Sequence, residues 1–142
     1  MKVSEGIKVL SSFTLVFGLW NLYGSSVLLW GVITNPEYIA SFDQIYINGG
    51  IIFYRFIAYA YPFAFLGLII GAIGSFWGKK IFLYLIVLCS IFLLVSEVVA
   101  SVMDEEWLIN AFLSAHISPL LYVFNTVFFL KKIFGGIIFE RA

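Results

Sequence analysis

The chain has 142 residues, of which 63% are hydrophobic and 11% are charged, and its formal net charge is zero. This composition argues against a water-soluble domain, whose surface usually makes about a quarter of its residues charged. The balanced charge argues against a nucleic-acid partner, and the single cysteine, Cys89, excludes an intrachain disulfide and a Cys-rich metal site. The expected class is therefore an all-α integral membrane protein of one domain.

Four apolar segments predict transmembrane helices, at residues 9–34, 51–77, 81–103 and 108–130. Each is long enough to cross a hydrocarbon core about 30 Å thick at about 1.5 Å per residue. Helices are expected because lipid offers no hydrogen-bond partner to the backbone. We interpret the first segment as a retained helix rather than a signal peptide, since it is long and no clear cleavage site follows it.

The links between these segments predict an antiparallel bundle. Residues 78–80 and 104–106 are short enough for tight turns between neighbouring helices. The longer link predicts a short amphipathic helix at about 36–47, lying in the outer membrane interface, and an ordered loop is the alternative. Asn35 suits its N-cap and Pro36 its first position.

The charges at the ends of the segments predict the orientation. One end of a four-span bundle carries the basic residues Lys2, Lys8, Lys79, Lys80, Lys131, Lys132 and Arg141. The other end carries the acidic residues Glu37, Asp43, Asp104, Glu105 and Glu106. Because basic residues mark the cytoplasmic side, both termini are expected inside the cell, with the protein in the plasma membrane.

Small residues at helical spacing predict where the helices pack, since apolar side chains gain little by leaving lipid for each other. In the first helix they are Ser11, Thr14, Gly18, Asn21 and Ser25. In the second they are Ala60, Ala64, Gly67, Gly71, Gly74 and Gly78. Contact within the bundle is the expected use, and a homodimer face is the alternative. Asn21 and Asn125 are expected to hydrogen-bond across helix contacts.

Three ionisable residues lie inside the predicted spans, all in the outer half of the membrane: Arg55, Glu97 and His116. Intramembrane charges usually face the bundle and pair, so an Arg55–Glu97 ion pair near His116 is our hypothesis. Separate structural roles are nevertheless favoured over this pair, with Arg55 reaching the interface, Glu97 protonated and His116 bonded to a carbonyl oxygen. A ligand or proton site is the second alternative.

Recognisable catalytic and metal-binding signatures are missing from the sequence. One histidine cannot provide a bis-histidine haem site, and the chain contains no H-E-x-x-H motif or phosphate loop. No cofactor is therefore predicted. The favoured function is a non-enzymatic subunit or assembly protein that contacts a membrane partner or a second copy. The alternative is a ligand- or lipid-binding protein or transporter that uses the polar cluster. A membrane enzyme or quinone-linked redox component is the least favoured.

The stretch from Phe65 to Gly74 reads Phe-Leu-Gly-Leu-Ile-Ile-Gly-Ala-Ile-Gly and is followed by the basic pair Lys79-Lys80 and another apolar span. Together with the outer amphipathic link, it resembles the DoxX-like family of small four-span membrane proteins. The resemblance covers less than a third of the chain. The first helix departs from that family because no basic residue follows its glycines. The resemblance implies the four-span architecture and no activity.

Overall fold

The computed structural model describes residues 3–35, 50–103 and 117–135. Four helices lie within these ranges: α1 (Glu5–Thr34), α2 (Gly50–Ser75), α3 (Lys80–Met103) and α4 (Ile117–Gly135). Within the described residues, three helical stretches are long and apolar enough to cross a membrane: Glu5–Thr34, Phe56–Ser75 and Lys80–Val99. The predicted interfacial helix at 36–47, the predicted turn at 104–106 and the first part of the predicted span 108–130 lie outside the described residues.

Helix α1 begins before the apolar segment because a capping side chain precedes it. The backbone N–H of Ile7 donates to Ser4 Oγ at 3.4 Å, and Glu5 provides a negative charge in the first turn. Lys8 Nζ lies 3.0 Å from Glu5 Oε1, which adds an ion pair one turn along. At the other end, Asn35 leaves the helical conformation while its N–H still donates to the carbonyl oxygen of Gly31 at 3.0 Å.

A tight turn joins α2 to α3. It comprises residues 76–78, two residues earlier than the sequence predicted, and Lys80 already belongs to α3. Gly78 has a φ of 69°, a left-handed conformation that glycine adopts without steric cost. Its N–H donates to the carbonyl oxygen of Ser75 at 2.9 Å, so the turn closes the end of α2.

The helices pack in chain order: α1 on α2, α2 on α3, and α3 on α4. Helices α1 and α4 meet at fewer points than these pairs do. The buried core lies among the four helices. Its most deeply buried large apolar side chains are Ile7, Leu68, Leu83, Ile86, Leu93, Tyr122 and Phe129. Large apolar side chains are also exposed on the outer faces of all four helices.

Candidate functional site

One buried amide connects three helices. The Oδ1 atom of Asn125 on α4 accepts a hydrogen bond from Thr14 Oγ1 on α1 at 3.1 Å. The Nδ2 atom of Asn125 donates to Ser90 Oγ on α3 at 3.4 Å. All three side chains are fully buried. The cross-helix bonding that the sequence predicted for Asn125 is therefore present.

Two serines form a second polar contact, between α1 and α2. Their Oγ atoms lie 2.6 Å apart, and both Ser11 and Ser75 are fully buried. Ser75 Oγ also lies 2.7 Å from the carbonyl oxygen of Ala72, to which it can donate. Ser11 belongs to the small-residue stripe of the first helix, whereas Ser75 lies beside the glycine stripe of the second.

The predicted packing glycines of α2 face α3. A Cβ atom added at Gly67 would lie 2.5 Å from Cys89 Sγ. At Gly71, it would lie 2.6 Å from the side chain of Ile86 and 3.1 Å from the carbonyl oxygen of Phe82. At Gly74, it would overlap the ring of Phe82. These glycines allow α2 and α3 of one chain to approach closely, so a second copy could use this face only after the two helices separate.

The predicted packing residues of α1 have different surroundings. Gly18 faces α2, because a Cβ atom there would lie 3.0 Å from the side chain of Ile69. Asn21 is half-buried, and its Nδ2 atom donates to the carbonyl oxygen of Phe17 at 2.9 Å, within its own helix. The cross-helix bond expected for Asn21 is replaced by this local bond, which a short polar side chain on a helix can make to the preceding turn.

Of the three residues in the predicted polar cluster, the structure describes the side chain of Glu97. This residue is half-buried on α3, and its carboxyl group lies within electrostatic range of the hydroxyl groups of Tyr61 on α2 and Tyr122 on α4. The backbone of Arg55 belongs to α2, but its side chain and the whole of His116 lie outside the described residues. The Arg55–Glu97 pair and its neighbour His116 remain a hypothesis.

The hydroxyl group of Tyr61 is the unusual member of this region. It is buried, and within the part of the chain that the structure describes it has no hydrogen-bond partner. Its ring packs edge-on against Phe65, with the ring centroids 5.7 Å apart. Phe17 of α1 in turn packs against both Phe65 and Tyr122, at centroid distances of 6.2 and 5.7 Å.

Tyr61, Glu97 and Tyr122, which we call the Tyr–Glu site, therefore place a carboxyl group within electrostatic range of two phenols, and the rings of Phe65 and Phe17 pack against these phenols. Sequence reasoning identified Glu97 but missed both tyrosines. The available signal was a phenol hydroxyl far from either end of an apolar span, where water does not reach it. Within the described ranges, no three His, Cys, Asp or Glu side chains are grouped as ligands for a metal ion.

Comparison with protein-family models, with curated proteins and with solved structures finds no match to this chain. The resemblance to the DoxX-like family gains no support from these comparisons.

Proposed function

We propose that the chain crosses the plasma membrane four times as an antiparallel bundle and acts as a non-enzymatic subunit or assembly partner through helix contact. The direction of the contacts supports the antiparallel arrangement. Ser11 meets Ser75 and Gly18 faces Ile69, so residue numbers rise along α1 as they fall along α2. The lysines at one end support cytoplasmic termini.

One observation carries the proposed role, a stripe of large exposed side chains along α1. The stripe recurs at alternating steps of three and four residues and comprises Phe13, Val16, Trp20, Tyr23, Val27 and Trp30, all more than half exposed. This is the spacing of a seam between two packed helices. It lies on the side of α1 away from the buried Ser11, Thr14 and Gly18.

Two side chains in this stripe carry polar groups near the middle of the span. Trp20 is 81% exposed and Tyr23 is 74% exposed. Trp20 lies about 22 Å along the axis from Glu5, half-way along the helix. Lipid tails cannot accept a hydrogen bond from an indole N–H or a phenol O–H, and such residues favour the membrane interfaces instead. A partner helix covering this stripe would supply both packing and acceptors.

Photocrosslinking tests this role in the native membrane. A photoreactive phenylalanine analogue placed at Trp20 should give a discrete crosslinked product, either to another protein or to a second copy. The matched control carries the same analogue at Phe63, an aromatic residue on α2 that is 73% exposed. Products of equal yield from both positions, or none from Trp20, would remove the support for a contact through α1.

A second candidate function, binding of a small molecule, is favoured by the Tyr61 hydroxyl. A buried hydroxyl group without a hydrogen-bond partner lowers the free energy of unfolding by about 1–3 kcal/mol, and a bound ligand that accepts its hydrogen bond would remove this penalty. In this alternative the Tyr–Glu site holds a small, largely apolar ligand between Tyr61, Glu97 and Tyr122. Aromatic walls with a few convergent polar groups are typical of such sites.

Native mass spectrometry of the protein extracted gently from its own membrane separates the two candidates. A defined small-molecule mass that disappears in Tyr61→Phe supports the ligand site. Tyr59→Phe is the matched control, since Tyr59 is half exposed on the same helix. Without ligand, Tyr61→Phe should raise the free energy of unfolding by about 1 kcal/mol, because it removes an unpaired hydroxyl. Lower stability of the ligand-free variant would contradict this description of Tyr61.

A further inference from the structure

Lysines from three segments surround one end of the bundle. They are Lys8 on α1, Lys79 and Lys80 at the α2–α3 turn, and Lys131 and Lys132 near the end of α4. We call them the lysine rim.

Two contacts bring these segments together. The hydroxyl oxygens of Ser11 and Ser75 lie 2.6 Å apart, which places the start of α1 beside the α2–α3 turn. A Cβ atom at Gly6 would lie 2.9 Å from the ring of Phe128, so the end of α4 lies beside the same part of α1. The lysine rim is therefore one surface of the fold rather than three separate positions.

Positive charge dominates this surface in the described ranges. Glu5 is the acidic residue there, and it pairs with Lys8 at 3.0 Å. Lys79, Lys80 and Lys131 are exposed, and Lys132 Nζ lies 5.4 Å from the centre of the Phe128 ring. The rim thus presents several ammonium groups that point away from the core.

Large apolar side chains accompany the lysines at the same level. Trp77 is 65% exposed in the α2–α3 turn, and Phe134 is 80% exposed beyond Lys132. A surface that combines ammonium groups with exposed aromatic rings matches the boundary between phospholipid headgroups and acyl chains.

We propose that the lysine rim binds the phosphate groups of anionic phospholipids, while Trp77 and Phe134 enter the adjoining acyl region. Charge complementarity carries this assignment, because a membrane surface rich in anionic lipid attracts each nearby lysine. The proposal rests on the membrane placement in the proposed function. The additional claim is that the lysine rim selects lipids by the charge of their headgroups.

The test uses the purified full chain reconstituted into vesicles of phosphatidylcholine or of phosphatidylcholine mixed with phosphatidylglycerol. Native mass spectrometry should find phosphatidylglycerol retained in preference to phosphatidylcholine. Replacing Lys79, Lys80, Lys131 and Lys132 by glutamine should weaken this retention about fivefold for each lysine removed. Arginine at the same positions is the matched control and should preserve it, and added salt should weaken it in the unmodified protein.

Three results would overturn the lipid proposal: equal retention of the two lipids, unchanged retention in the glutamine variants, or equal binding of inorganic phosphate by the lipid-free protein. A different result, failure of the protein to insert into vesicles of either composition, would contradict the proposed membrane placement itself. Insertion without lipid preference would remove the lysine-rim assignment and leave the four-span proposal intact.

Discussion

Asn125 connects three helices because an amide offers a donor and an acceptor at once. Its Oδ1 atom accepts from Thr14, and its Nδ2 atom donates to Ser90. Sequence reasoning could predict that an amide within an apolar span bonds to a neighbouring helix. It could not name Thr14 and Ser90 as the partners, because they lie 111 and 35 residues away along the chain.

Replacing Asn125 by alanine should lower the free energy of unfolding by about 1–2 kcal/mol, because two cross-helix hydrogen bonds and buried side-chain volume are lost. Unfolding in mixed detergent micelles, followed by tryptophan fluorescence, measures the change. Asn21→Ala is the matched control. Its amide bonds within its own helix, so its effect should stay within about 0.5 kcal/mol. An equal decrease in the free energy of unfolding in both variants would mean that the cross-helix hydrogen bonds of Asn125 do not contribute to stability.

At the scale of the elements, the two small-residue stripes serve different interfaces. The stripe of α1 faces the core, where Gly18 meets Ile69 of α2 and Thr14 meets Asn125 of α4. The glycines of α2 instead face α3, as Gly71 does against Ile86. The sequence pattern indicated that both stripes pack, since close approach of helices needs small residues. It left the partners undefined, because spacing along one helix contains no information about which neighbour it faces.

Alanine at Gly71 should destabilise the bundle by about 1–3 kcal/mol, because the added methyl group would press on the backbone of α3. Gly24→Ala is the control, since no described atom of another helix lies within 4 Å of a Cβ atom at that position. It should leave stability unchanged or raise it by up to about 1 kcal/mol, through the higher helix propensity of alanine. The same unfolding measurement applies, and a Gly71→Ala variant as stable as Gly24→Ala would rule out tight packing of α2 on α3.

At the scale of the whole molecule, one tight turn pairs two of the helices, and the lysines at one end support the proposed orientation in the membrane. The tight turn at residues 76–78 makes α2 and α3 neighbours, and contacts continue from α3 to α4. An even number of spans would place both ends of the chain on the side of the lysines. The order of packing also explains why α1 is the least buried of the three candidate spans among the described residues, since it packs closely against α2 and meets α4 at few points.

Cysteine labelling checks this topology. In a Cys89→Ala background, single cysteines replace Thr34, Lys80 or Phe134, which are all exposed. A membrane-impermeant maleimide added to intact cells should label Thr34→Cys. It should label Lys80→Cys and Phe134→Cys only after permeabilisation, because in the proposed four-span arrangement one span separates Thr34 from Lys80 and two spans separate Lys80 from Phe134. Labelling of Thr34→Cys and Lys80→Cys from the same side would show that α2 does not cross the membrane.

The sequence by itself determined the helical class, the expected membrane solvent and the small-residue faces, because hydrophobic run length and residue size are local properties. The tertiary structure decided which surfaces meet. It directed the glycines of α2 to α3, gave Asn125 its partners and placed Tyr61 and Tyr122 within electrostatic range of Glu97. These outcomes depend on the rotation and register of helices far apart in the chain, which only packing sets.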